Sequence, residues 1–190
     1  MSLKHAILGF LSFSPLSGYD LKKAFDHSVR HFWPANQSQI YRTLAELHQA
    51  GWVRQEVIQR EGPLDTKVYH ITEAGQTELH RWLSTPLSPQ DNREPFLIQI
   101  YFGGKLSDEE MFRLLEEEAH ATEERLEVYG TIYEANIAKL GNHEDRRAIF
   151  FSLLTLEYGI LSNQMLLDWL KSVEERLRSR DYTLTKFKRA

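Results

Sequence analysis

Apolar residues recur every three or four positions through most of the chain, which is the spacing of helices that bury one side. The first stretch, LKHAILGFLSF, ends at Ser14-Pro15. A second helix is predicted from about Tyr19 to His31, and Trp33-Pro34 ends it because the residue before a proline avoids helical backbone. The chain therefore opens with two predicted helices.

The pattern changes between Asn36 and Leu83. Asn36 is a plausible N-cap for a third helix, and Gly51 is a natural C-terminal stop. Two short strands follow, at about 52–59 and 67–71, and Thr72 caps a fourth helix whose predicted inward residues are Leu79, Trp82 and Leu83. A helix, a hairpin and a helix after two earlier helices are typical of a winged helix-turn-helix, a DNA-binding fold.

A proline-containing linker around Pro86 and Pro89 predicts two domains, a winged helix-turn-helix at 1–85 and a helical domain at 86–190. In the second domain, a short helix is predicted at 94–102 and Ser107 opens a capping box with Glu110. The last long helix is predicted from about 144 to 178. The predicted fold class is mostly α, with a two-stranded β-hairpin wing and an α-helical C-terminal dimerisation domain.

The last helix carries two neighbouring apolar stripes, a face too wide for one neighbouring helix to cover. We interpret this face as a homodimer interface, and the alternative is a helix buried within a monomeric bundle. The second stripe contains Phe150, Leu154, Tyr158, Leu161, Met165 and Trp169. The residues predicted to carry dimerisation form the first stripe: Leu153, Leu156, Ile160, Leu167 and Leu170.

The third helix has a polar side with side chains suited to base edges. A helical wheel puts Leu44 and Leu47 beside Ile40 on the core side. The opposite side holds Ser38, Arg42, Ala45 and, more obliquely, Gln39 and Glu46. Arginine pairs with guanine, glutamine with adenine and a methyl group with thymine. The simpler alternative is a solvated polar face. On the hairpin, Arg54, Arg60 and Lys67 are candidate phosphate contacts.

Charge and composition limit the choice of partner. The net charge is −4, but residues 1–85 carry 9 Lys/Arg against 8 Asp/Glu, while residues 86–190 carry 14 against 19. Only the first half could tolerate a polyanion, and it is not strongly basic. The chain has no cysteine, which excludes disulfides and thiol catalysis and suits a reducing cytoplasm. No apolar run of about 18 residues is present, so we predict a cytoplasmic protein with no membrane partner.

Three stretches together resemble the PadR family of bacterial transcriptional regulators: AILGFLSFSPLSGYDLKKAF, FWPANQSQIYRTLAELHQAGWV and VYHITEAGQTELHRWL. The tail beginning EPFLIQIYFGGKLSDEE resembles that of the longer family members. The resemblance implies a homodimer on palindromic promoter DNA, usually a repressor, in some members relieved by phenolic acids. Other members bind drug-like aromatic molecules between subunits or activate genes with a partner regulator. The DNA-contacting candidates it implies are Gln37, Ser38, Gln39, Tyr41, Arg42 and Lys67. The acidic wing loop, with Glu61 and Asp65, departs from the family's pattern.

Neither an enzyme nor a metal site is predicted. Glu117 and His120 have the spacing of half a di-iron site, but no second pair matches it. There is no Gly-rich phosphate loop and no nucleophile elbow, and we predict no cofactor. Two other functions stay open. One is a winged helix used only for protein contacts. The other is a pocket for a small aromatic effector between the domains, with an ordinary aromatic core as the alternative; its candidates are Phe96, Tyr101, Phe102, Tyr129, Tyr133 and Trp169.

Overall fold

A computed structural model describes residues 2–30, 32–59, 66–88, 93–137 and 146–184. The chain divides into two compact units, Met1–Gln90 and Asp91–Ala190. The division falls in the predicted linker, slightly later than the predicted boundary at residue 85. The roles assigned to the two predicted domains stay predictions.

The first unit contains four helices among its described residues: α1 (Ser2–Phe13), α2 (Gly18–His27), α3 (Gln37–Gln49) and α4 (Glu73–Leu83). Helix α2 was predicted to reach His31 but ends at His27. Ser28 explains the early end, because its hydroxyl donates to the carbonyl of Ala24 at 2.5 Å while its backbone leaves helical angles. His31 lies outside the described residues.

A three-stranded antiparallel sheet accompanies these helices, in the order β1 (Leu16–Ser17), β3 (Thr66–Ile71), β2 (Val53–Ile58). Strands β2 and β3 form the predicted hairpin, with Val53 opposite Ile71 and Ile58 opposite Thr66. Strand β1 was not predicted, and it extends the sheet beyond the hairpin. The wing loop, with Arg60, Glu61 and Asp65, lies outside the described residues.

The core of the first unit joins α1, α2, α3 and the sheet. Its least exposed members are the apolar positions expected from the helical spacing: Ile7, Leu8, Leu21, Phe25, Ile40, Leu44 and Leu47, each at most 1% exposed. Helix α4 packs on this core through Leu79. The prediction that Leu83 faces inward is wrong, since it is 67% exposed at the end of α4. The preceding turns of α4 already cover the core, and Leu83 is the last residue of α4 before the linker.

The second unit contains α5 (Pro95–Tyr101), a 3₁₀ turn at Gly103–Lys105, α6 (Asp108–Ile137) and α7 (Arg146–Ser179). Pro95 starts α5 at the position where its missing amide costs no hydrogen bond. The predicted capping box is confirmed: the Ser107 amide donates to Glu110 at 2.8 Å, and the Glu110 amide donates to the Ser107 hydroxyl at 3.2 Å. Helices α6 and α7 share a core of Met111, Leu115, Leu167 and Leu170.

The mostly helical architecture with a wing and a helical second unit is therefore as predicted, with one more strand than expected. Among the described helices, none has the length and apolar character needed to cross a membrane.

Candidate nucleic-acid interface

Helix α3 is fixed at its start by a reciprocal cap. The Asn36 side chain accepts a hydrogen bond from the Gln39 amide at 2.9 Å, and the Gln39 side-chain oxygen accepts one from the Asn36 amide at 2.9 Å. This confirms the predicted N-cap. The same cap occupies the side-chain oxygen of Gln39, and a bidentate contact of this side chain with adenine would require that oxygen. In this arrangement the side-chain NH2 of Gln39 is left for a partner.

The polar side of α3 is open, as the helical wheel predicts. Ile40, Leu44 and Leu47 are buried in the core, while Gln37, Ser38, Tyr41, Arg42 and Ala45 are exposed on what we call the outer face. The Arg42 guanidinium makes no hydrogen bond or ion pair with any described residue. The structure thus brings five of the six predicted DNA-contacting residues, including Gln39, onto one helix. The sixth, Lys67, is exposed on β3.

Tyr41 lies at the edge of the outer face, against the first residue of α2. A β-carbon at Gly18 would come within 2.5 Å of Tyr41 Cε1 and 3.0 Å of its hydroxyl oxygen, so the absence of a side chain at Gly18 makes room for the ring. Burial raises the pKa of Tyr69 on β3, and the nearby Tyr41 phenol adds to that effect. The Tyr41 ring therefore has a defined position, with 43% of the residue still exposed.

The cations of the wing differ in their availability. Arg54 Nη2 lies 3.1 Å from His70 Nδ1, and Arg54 Nη1 lies 3.6 Å from Glu56 Oε2. The same carboxylate oxygen is 2.7 Å from His70 Nε2. Lys67 makes no hydrogen bond or ion pair with a described residue. Within the described part of the wing, Lys67 is thus the better placed of the two cations for a phosphate.

A polar recess next to the start of α3 was not predicted. It has a volume of about 410 Å³ and is lined by Lys22, Asp26, Arg30, Asn36 and Gln39, among others. Lys22 pairs with Asp26, and this contact holds the pKa of the Asp26 carboxyl below its ordinary value. Sequence reasoning missed Lys22, which belongs to α2, and Arg30, which follows the end of that helix, because neither lies on α3. For Lys22, the available signal was its place on the polar side of α2.

Comparison with known proteins gives the same picture of the chain. The model of the transcriptional regulator PadR-like family matches residues 7–81, and that of the virulence activator alpha C-terminal region matches residues 92–178. The negative transcriptional regulator PadR of Bacillus subtilis is 30% identical over 173 residues, which cover 90% of this chain and 94% of that protein. The chain belongs to the PadR-like family of transcriptional regulators.

One further relative and two crystal structures of the B. subtilis protein extend the comparison. A probable transcriptional regulator of Mycobacterium tuberculosis is 46% identical over 89 residues, a match that spans 47% of each protein. The crystal structure of B. subtilis PadR in complex with operator DNA has a TM-score of 0.84 at 29% identity, and the match covers 93% of this chain and 99% of that one. The same B. subtilis protein has also been crystallised with p-coumaric acid, with a TM-score of 0.78.

The predicted dimerisation residues of this PadR-like chain lie mostly inside it. Leu153, Leu156, Leu167 and Leu170 are between 2% and 8% exposed, and Ile160 is half-buried. Leu167 and Leu170 contact the α6 core of their own chain. Their assignment to a contact with a second chain stays a prediction.

The second apolar stripe on α7 is mostly exposed to solvent. Its exposed members form what we call the outer stripe: Phe150, Leu154, Tyr158, Leu161 and Met165, between 38% and 75% exposed. Exposed apolar rows of this length mark contact surfaces more often than solvent-facing helix.

Proposed function

We propose that this PadR-like regulator binds palindromic promoter DNA as a homodimer and represses the genes behind it, with α3 in the major groove. The observation that carries the proposal is the outer face of α3, where Arg42 is exposed and without a partner among the described residues. Arginine is the side chain that most often reads guanine in the major groove. The crystal structure of the B. subtilis relative in complex with operator DNA supports DNA as the partner.

The proposed contacts divide by chemistry. Gln37, Ser38 and Gln39, at the start of α3, and Arg42, one turn later, are assigned to base edges. Tyr41 and Lys67 are assigned to phosphates, which fix the position of the protein on the duplex without reading sequence.

The test is fluorescence anisotropy of the purified protein with its own upstream promoter DNA and a scrambled control, over a series of salt concentrations. We expect preference for the promoter, and a steep fall in affinity with salt as phosphate contacts release counterions. Equal weak binding to both DNAs would contradict the proposal. It would favour the alternative function, a winged helix that contacts another protein.

For the homodimer, the outer stripe of α7 is a second candidate surface beside the predicted stripe. Its five members are all apolar or aromatic and lie on one side of the helix, away from the α6 core. A second copy of the chain offers the same surface, and a two-fold axis would bring the two stripes together.

A small aromatic effector completes the proposal. The p-coumaric acid complex of B. subtilis PadR supports control by such a molecule. We further propose a cytoplasmic regulator without catalytic activity, as expected for a family of transcriptional regulators. Addition of the effector to the promoter complex is expected to lower the anisotropy, while a matched non-aromatic compound leaves it unchanged.

A further inference from the structure

A cavity of about 420 Å³ opens in the second unit, beside α5, α6 and α7. We call it the aromatic cavity. Its apolar lining comes from Phe96 and Leu97 of α5 and from Met165, Leu166 and Trp169 of α7. Its polar lining is Glu94, Glu118 and Ser162. Of the six aromatic residues that the sequence suggested for an effector pocket, Phe96 and Trp169 line this cavity.

The aromatic part of the lining is a pair of rings in contact. The Phe96 and Trp169 ring centroids are 6.4 Å apart with an interplanar angle of 87°, an edge-to-face pair. Both residues are half-buried, so the rings are held by packing and still reach the cavity. Aromatic rings stabilise a cation placed over a face, and the effect grows when water is excluded.

The carboxylate of Glu118 is held in place from behind. Arg125 Nη2 donates to Glu118 Oε1 at 3.0 Å and to the Thr122 hydroxyl at 2.7 Å, while Arg125 Nε donates to Asn163 of α7 at 3.1 Å. The Thr122 hydroxyl lies 3.5 Å from the same Glu118 oxygen. Glu118 Oε2 makes no hydrogen bond with any described residue, and the side chain is 26% exposed. One oxygen is thus fixed and the other is available.

Glu94 adds a second carboxylate at the same cavity. It is exposed, and its side chain makes no cap hydrogen bond and no ion pair with a described residue. Among the described residues that line the cavity there is no lysine, arginine or histidine. Arg125 offsets part of the charge of Glu118, and Glu94 has no such partner in the described structure.

We propose that the aromatic cavity binds an aromatic cation, a flat ring system bearing an ammonium or amidinium group. The ring would pack against Phe96 and Trp169, and the cation would meet Glu118 Oε2 and Glu94. This assigns a ligand class to the effector role, and its regulatory meaning rests on the proposed function. An aromatic carboxylate such as p-coumarate suits this lining poorly, because its charge would face two carboxylates and no basic lining residue.

The test uses three indoles that differ in charge: tryptamine (a cation), tryptophol (neutral) and indoleacetate (an anion). Each is titrated into the full-length protein without DNA, and binding is followed by ligand-observed NMR. We expect tryptamine to bind about tenfold more tightly than tryptophol, a ratio within reach of one partly desolvated cation contact, with indoleacetate weakest. No saturable binding of tryptamine, or equal binding of indoleacetate, would overturn the proposal.

Three variants locate the site. Glu118→Gln and Glu94→Gln should each reduce the preference for tryptamine over tryptophol, whereas the control Glu117→Gln, on an exposed position of α6, should not. If Glu118→Gln unfolds because Arg125 loses its partner, the test rests on Glu94→Gln alone, since the Glu94 side chain makes no hydrogen bond or ion pair with a described residue. An unchanged preference in Glu94→Gln would then overturn the assignment. The titrations contain no DNA, so a lack of tryptamine binding can be told apart from a lack of promoter binding.

Discussion

At the scale of single residues, the charged side chains of the first unit divide into those with a partner and those without. Arg81 donates to Glu78, Lys22 pairs with Asp26, and Arg54 lies beside His70 and Glu56. Arg42 and Lys67 have no such contact with a described residue. A cation that already holds an internal carboxylate loses that contact when it turns to a phosphate, so the unpaired ones are the stronger candidates for DNA.

Replacing Arg42 by alanine should weaken binding to the promoter by about 1–3 kcal/mol, the range for one bidentate contact with a base. The scrambled DNA should lose much less, because a base contact operates only on the correct sequence. Anisotropy titrations of both DNAs measure the difference. Arg113→Ala, an exposed arginine of α6, is the matched control. An equal loss on both DNAs would make Arg42 a phosphate contact instead.

Gly18 tests the position of Tyr41. Alanine there would place a β-carbon 2.5 Å from Tyr41 Cε1, and the ring would have to move. Because the ring is partly exposed, it can be displaced towards solvent, and stability should change little. Affinity for the promoter should fall by about 1.5 kcal/mol if the Tyr41 hydroxyl bonds a phosphate. Gly9→Ala on α1 is the control, since a β-carbon at Gly9 meets nothing within 4 Å. Wild-type affinity in Tyr41→Phe would rule out the hydroxyl contact.

At the scale of elements, the features predicted correctly depend on neighbours in the sequence. Asn36 caps α3, Ser107 and Glu110 form the capping box, and Gly51 ends the helix with a φ of 73°. Strand β1 was missed because it is two residues long and exists only through its pairing with β3. Leu83 was placed inside by its spacing alone. Both errors concern contacts between elements, which helical periodicity does not specify.

The contact between α1 and α4 should make the stability of the first unit sensitive to acid. Glu78 accepts hydrogen bonds from Arg81 at 2.7 Å and lies 3.0 Å from His5 Nε2, and His5 stacks on Trp82. The Arg81 guanidinium, with a smaller contribution from His5, lowers the pKa of Glu78 to about 2. The folded state therefore favours the ionised carboxylate. That stabilisation is complete above the ordinary pKa of 4.5 and is lost as the pH falls towards 2.

Denaturant unfolding at neutral pH and at about pH 3 measures this effect. The wild-type protein should lose more stability on acidification than Glu78→Gln, because the variant has no carboxylate to protonate. Glu73→Gln, at an exposed position in the first turn of the same helix, should behave like the wild type. Identical pH dependence in the wild type and Glu78→Gln would show that the contact does not contribute.

At the scale of the whole molecule, the question is which side of α7 meets a second copy. Both apolar stripes have helical spacing, and dimerisation was predicted for the first of them. The structure buries Leu153, Leu156, Leu167 and Leu170 in their own chain and leaves the outer stripe exposed. Asn163, which lies among these buried leucines along α7, accepts a hydrogen bond from Arg125 of α6. Leu167 and Leu170 are thus part of the α6–α7 core, and the outer stripe is the more accessible surface for assembly.

Leu161→Glu should therefore convert the protein to monomers without unfolding it. Leu161 is 62% exposed, so the new charge stays in water in the monomer and would be buried only in the dimer. Sedimentation velocity measures the change, and circular dichroism checks that the helices persist. Thr155→Glu, exposed on another side of α7, should remain a dimer. Ile160→Glu is a poorer test, because Ile160 is half-buried and its charge would also disturb the α6–α7 packing.

Dimerisation also predicts how the operator must be built. A two-fold dimer presents two copies of α3 to half-sites about one helical turn apart, roughly 34–36 Å. Inserting about five base pairs between the half-sites would rotate one of them to the far side of the duplex. One of the two α3 helices could then no longer reach the major groove of its half-site. Wild-type affinity should fall towards that of a single half-site. The monomeric Leu161→Glu variant should bind both spacings equally, since it never engages two half-sites together. If the insertion leaves wild-type affinity unchanged, the two DNA-reading helices are not held in a fixed relation, and the palindromic recognition proposed for this regulator does not hold.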